Sequence, residues 1–121
     1  MRLVNLTPHS ITVLGADAPL VLAPSGAVAR VATETRELRK LDGVSILVQT
    51  YGEITGLPAY SPSDGCWEDF TVYVVSALVR LADAADRATR GDAPREDVLS
   101  PGELVRDAAG QPTGCRGLVR S

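Results

Sequence analysis

Thr71-Val-Tyr-Val-Val-Ser-Ala-Leu-Val-Arg80 is the stretch whose residue types best suit chemistry. An apolar, β-branched run ends at Ser76, and a helical pattern begins at once. Such a junction gathers one hydroxyl and several free backbone N–H groups at a point, which is how a helix N-terminus holds a phosphate or another anion. The same residues make an ordinary N-cap, and both readings stand. Ser76 has no Gly-x-Ser-x-Gly elbow around it, so it is not read as a nucleophile.

His9 is the single histidine and follows Pro8 at a fixed bend. An imidazole there suits proton transfer or donation to a phosphate; it also suits an exposed turn residue packed on proline. Asn5 and Thr7 flank the same bend, where Asn can pair with the edge of a base or close the turn. Arg30, Arg80, Arg90, Arg106 and Arg116 are the candidate anion-binding cations. Of these Arg106, followed by Asp107 at a strand end, stands out, its alternative being a surface ion pair of little net value. Tyr51 and Trp67 present aromatic faces that can stack on a ring or anchor a loop. The candidate ligand-binding set is therefore Asn5, Thr7, His9, Tyr51, Trp67, Ser76 and Arg106. No catalytic residue is assigned unless His9 serves an enzyme. Glu53, Glu68 and Asp69 show no spacing that specifies a carboxylate pair. No phosphate-binding loop, dinucleotide fingerprint or metal motif is present, so neither a cofactor nor a metal is expected.

The elements that must position these residues form an α+β pattern. Met1–Leu6, Ser10–Leu14, Leu20–Leu22 and a strand through Val28–Thr33 read as an antiparallel meander. Glu34–Leu41 is charged, with Leu38 and Leu41 three apart, and reads as one helical turn or a solvated loop. Asp42-Gly43 is a turn opening the strand Val44–Tyr51. Two glycines and Pro58 predict a sharp bend over residues 52–58, and 59–69 reads as a long exposed loop. Phe70–Val75 is a central strand. The main helix is expected over about 77–88, burying Leu78, Leu81, Ala82 and Ala85 and exposing Arg80, Asp83, Asp86 and Arg87. Asp97–Leu99 reads as a short strand and Ser100-Pro-Gly102 as a turn. Glu103–Arg106 and Gly114–Val119 read as a C-terminal hairpin.

The chain has 121 residues, a length that suits one compact domain over 1–121. Its net charge is −3, which argues against duplex nucleic acid as the main partner. Aromatic residues make up 4%, so the core must be aliphatic. No apolar run approaches transmembrane length, and no secretory signal precedes Pro8 and His9. The expectation is a cytosolic protein that does not engage a membrane, with Cys66 and Cys115 as reduced thiols. A homo-oligomer is expected as well, because an antiparallel sheet with one helix leaves a face to cover.

Asn5-Leu-Thr-Pro-His9, Tyr51-Gly-Glu-Ile-Thr-Gly-Leu-Pro58, Val72-Tyr-Val-Val-Ser76, Ser100-Pro-Gly-Glu-Leu-Val-Arg-Asp107 and Gly114-Cys-Arg-Gly-Leu118 together resemble a family of small proteins found in actinobacterial genomes, tailed phages and prophages. The resemblance covers nearly the whole chain, which departs from it by an enlarged loop over 61–69 and a longer stretch over 82–97. It brings a setting rather than an activity. Small phage proteins often counter host defence, some by sequestering a cyclic nucleotide or cyclic ADP-ribose signal in an oligomer, and this is an analogy of setting and size. It implies a non-catalytic binder of a phosphate-bearing, nucleotide-like small molecule. An enzyme cleaving such a signal with His9, and a protein-interaction or phage accessory module, are the alternatives.

Overall fold

A computed structural model describes residues 2–14, 18–60 and 70–121. The chain is α+β, rich in antiparallel pairing, with one main helix and a C-terminal hairpin. The strands among the described residues are β1 (Arg2–Asn5), β2 (Ile11–Val13), β3 (Leu20–Leu22), β4 (Arg30–Leu41), β5 (Val44–Thr55), β6 (Thr71–Val74), β7 (Val98–Pro101), β8 (Leu104–Arg106), β9 (Pro112–Cys115) and β10 (Leu118–Val119). The helix α1 spans Ala77–Thr89, between β6 and β7.

One sheet runs β1-β6-β7-β10. Its first three strands are parallel, with Asn5 opposite Val74 and Val74 opposite Leu99. The crossover β6–α1–β7 makes that parallel pairing possible, since parallel neighbours need a long connection. A second sheet runs β3-β2-β9-β8. The pair β4–β5 forms a two-stranded ribbon of its own. The four N-terminal strands thus do not stay together as one meander: β1 joins the parallel sheet, β2 and β3 the second sheet, and β4 the ribbon.

The core is small and aliphatic. Leu6, Ala29, Val75, Val79 and Val98 form its buried cluster, with Val4, Val31, Ile54, Leu57 and Tyr73 packed against it. Each fully buried Val or Leu is worth about 1.5–3 kcal/mol, so a core of this size leaves little reserve.

Three local expectations are corrected. Residues 34–41 are neither helical nor looped; they continue β4 to Leu41 and pair with β5, apart from Leu38, where the register shifts. Asp42 (φ 50°) and Gly43 (φ 80°) make the tight turn, the left-handed pair that a two-residue hairpin demands. β5 runs past its expected end at Tyr51 to Thr55, so within the bend expected over residues 52–58 the chain turns only at Gly56. Ser100 and Pro101 belong to β7 rather than to a turn, and the last expected strand is split, its end at Leu118–Val119 crossing to pair with β7.

The helix is also turned from its expected orientation. Val79 and Ala82 are buried, whereas Leu78 and Leu81 are 39% and 48% exposed. Val79, Ala82 and the half-buried Asp83 follow the i, i+3, i+4 spacing of a packed face. The small Ala82 lets the helix approach β7 and the ribbon base closely, and the larger leucines are left on the outer side.

Candidate functional site

The carboxyl ends of β1 and β6 bring several of the expected site residues to one edge. Asn5 and Val74 are the last paired residues of these parallel neighbours. Thr7 and Ser76 each lie two residues further on, past Leu6, whose N–H donates to the Val74 carbonyl at 2.8 Å. The chain leaves these two strands in opposite directions. After β6 it crosses through α1 to β7 on one side. After β1 it runs to β2 and β3 on the other side, where Pro24 bridges to Asn5. Adjacent parallel strands whose connections diverge define a topological switch point, the usual place for a ligand crevice in open sheets.

Ser76 caps α1. Its backbone is extended (φ −65°, ψ 155°), and its hydroxyl accepts from the Val79 N–H at 3.3 Å. Its side chain is exposed. His9 is exposed too, at the far end of the bend.

Asn5 builds the bend itself. It is 2% exposed, and its amide donates to the His9 carbonyl at 2.8 Å and the Leu22 carbonyl at 2.9 Å. Its side-chain oxygen accepts from the Thr7 N–H at 2.9 Å and from the Thr7 hydroxyl at 2.6 Å. Ser25 returns to the Asn5 carbonyl with both its N–H and its hydroxyl, at 3.0 and 2.7 Å. Asn5 therefore holds β1, the bend and the chain around β3 together, and the half-buried Thr7 is its partner.

The remaining candidates lie elsewhere. Tyr51 stands on β5 opposite Thr33. Arg106 stands on β8 and donates to the Gly110 carbonyl at 2.9 Å, closing its own hairpin loop. Asp107 caps that loop by accepting from the Ala109 and Gln111 N–H groups. Trp67 and Cys66, with most of the loop expected over 59–69, lie outside the described residues. Arg80 joins helix, sheet and C-terminus, its Nε donating to the buried Ser100 hydroxyl and its Nη1 to Ser121, both at 2.8 Å.

A concavity of about 360 Å³ lies between the ribbon base and the helix. Glu53, Asp83, Asp86 and Arg95 supply its charges. Arg95 grips the buried Asp97 with two bonds of 2.8 Å and donates a third to the Pro58 carbonyl. Burial opposes its charge, but the hydrogen-bonded Asp97 carboxylate outweighs burial and raises its pKa above the ordinary value. The ring of Tyr60 lies within cation–π range of both Arg87 and Arg95, at 5.1 and 5.2 Å. Burial also pushes the Asp83 carboxyl up from 3.8, against the pull of Arg95 and Arg87. Three carboxyl groups beside one guanidinium already bonded to Asp97 and Pro58 make this cleft a poor place for a phosphate. Sequence reading missed it; Arg95 and Asp97, opposite charges two residues apart just before an apolar strand, were the available signal.

Comparison with known protein families, with curated proteins and with solved structures returns no match. Among the described residues, no cluster of three or more His, Cys, Asp or Glu side chains could hold a metal ion. No helix there is long and apolar enough to cross a membrane.

Proposed function

We propose that this protein binds and sequesters a phosphate-bearing small molecule of the nucleotide-signal class, without chemistry, at the carboxyl edge of β1 and β6. The observation that carries the reading is the switch point between these strands, with the exposed Ser76 cap of α1 on one side and the Thr7–His9 bend on the other. The first N–H groups of α1 would meet the phosphate, and His9 would donate to it or stack beside it. The resemblance to phage and prophage proteins favours a host immune signal, such as a cyclic nucleotide or a cyclic ADP-ribose, in the cytosol of a bacterial host. The acidic cleft at the ribbon base is left out of this reading because its charge repels phosphate.

The test is a thermal-shift screen against cyclic nucleotides and ADP-ribose derivatives, followed by mass spectrometry of what heat denaturation releases. The expected result is a stabilising shift with the ligand recovered intact, and a weaker shift for His9→Ala. Recovery of altered ligand would replace sequestration with catalysis by His9. The absence of any shift across the panel would sink the small-ligand reading.

A further inference from the structure

The ribbon is the least supported part of the fold. Each of its strands has 12 residues, giving a reach of about 40 Å at ~3.4 Å per residue. Among the described residues it is anchored at its base, through Val31 and Ile54 on the core. Beyond Val31, every residue of β4 is exposed. Leu38, Leu41, Val44, Leu47 and Tyr51 are between 43% and 62% exposed. A lone two-stranded hairpin is marginal in water, whereas three or more strands sharing an apolar face are stable. Among the described residues no strand pairs with the outer edge of β4, and such an edge templates another strand.

We infer that the outer edge of β4 pairs antiparallel with β4 of a second copy of this chain, about a two-fold axis at Thr35. The choice of partner rests on charge. β4 has two irregularities, between Val31 and Thr33 and between Glu37 and Arg39, and the stretch from Thr33 to Glu37 between them is regular. Its midpoint is Thr35. A two-fold axis there sets Glu34 of each copy opposite Arg36 of the other, on the same face of the sheet, twice over. Thr33 then faces Glu37. The stretch from Thr33 to Glu37 is its own electrostatic complement, as a closed two-fold interface requires. The β5 edge, with Glu53 as its one charged residue, has no such pattern. Pairing at β4 makes a four-stranded sheet in the order β5-β4-β4-β5.

The experiment is a charge swap read by sedimentation velocity over a concentration series. The native chain is expected to dimerise. Glu34→Arg leaves two cations opposite two cations, and Arg36→Glu leaves two anions opposite two anions. Each single variant is expected to raise the dissociation constant by about tenfold or more, like charges being juxtaposed twice. The double variant Glu34→Arg/Arg36→Glu restores complementarity and is expected to dimerise like the native chain. Mixing the two single variants is expected to yield a heterodimer, since the cationic chain fits the anionic one. Circular dichroism checks that each variant is folded. A native chain that stays monomeric overturns the proposal, and so do single variants that dimerise as well as the native chain.

Discussion

Asp83 shows how one side chain can record its surroundings in a pH profile. It is half-buried beside Ala82, and burial raises its pKa above 3.8 more than Arg95 and Arg87 lower it. The folded protein therefore holds this proton more tightly than the unfolded chain does. The stabilisation is complete below the unfolded pKa and is lost as pH rises through the folded value. Asp83→Asn removes the titration while keeping the shape. The stability difference between Asp83→Asn and the native chain should move in favour of the variant as pH rises above 3.8, then level off. Urea denaturation at a series of pH values measures it, and a difference moving the other way would mean that the charged carboxylate is the favoured form. At this scale the sequence was partly legible. The polarity of the Asn5–Thr7–His9 bend was visible, but a one-dimensional pattern does not say whether a polar atom faces a ligand or a carbonyl. Asn5 faces carbonyls from His9 and Leu22, and the second lies 17 residues away.

Elements were legible where one face is buried. β1, β6 and α1 appear close to their expected bounds because apolar periodicity reports a core. Residues 34–41 were not, and the reason is physical. Neither face of the ribbon there is buried, so no alternation was selected, and the irregularity at Leu38 shifts the register that remains. The helix orientation failed for a related cause: Leu78 and Leu81 look like core residues, but the approach to β7 admits the smaller Val79 and Ala82. Gly56 shows what ends β5. Its φ is +79°, and an added Cβ would run into the backbone carbonyl of Val28. Gly110 has a similar φ of +82° with open space around it, so it isolates the cost of the left-handed backbone, about 1–2 kcal/mol. Gly56→Ala should cost that strain plus the displacement of Val28, at least about 3 kcal/mol in all. Denaturant titration of both variants provides the comparison, and equal losses would mean that the chain near Val28 yields freely.

At the scale of the whole molecule, the core and the ribbon make unequal demands. The core of Leu6, Ala29, Val75, Val79 and Val98 supports the parallel sheet and the ribbon base, and nothing within the described residues buries the outer part of β4. If a second copy supplies the missing strands, folding of the ribbon and association are linked, and apparent stability follows mass action. The melting temperature of the native chain should then rise with protein concentration, whereas that of Glu34→Arg should be lower and nearly independent of it. Differential scanning calorimetry over a hundredfold concentration range, about 2.7 kcal/mol of linkage at its upper limit, resolves the two. A ligand at the β1–β6 edge would raise both melting curves alike, because that site lies on the parallel sheet and not on the ribbon. A native melting temperature that ignores concentration would show instead that the ribbon is held by contacts within one chain.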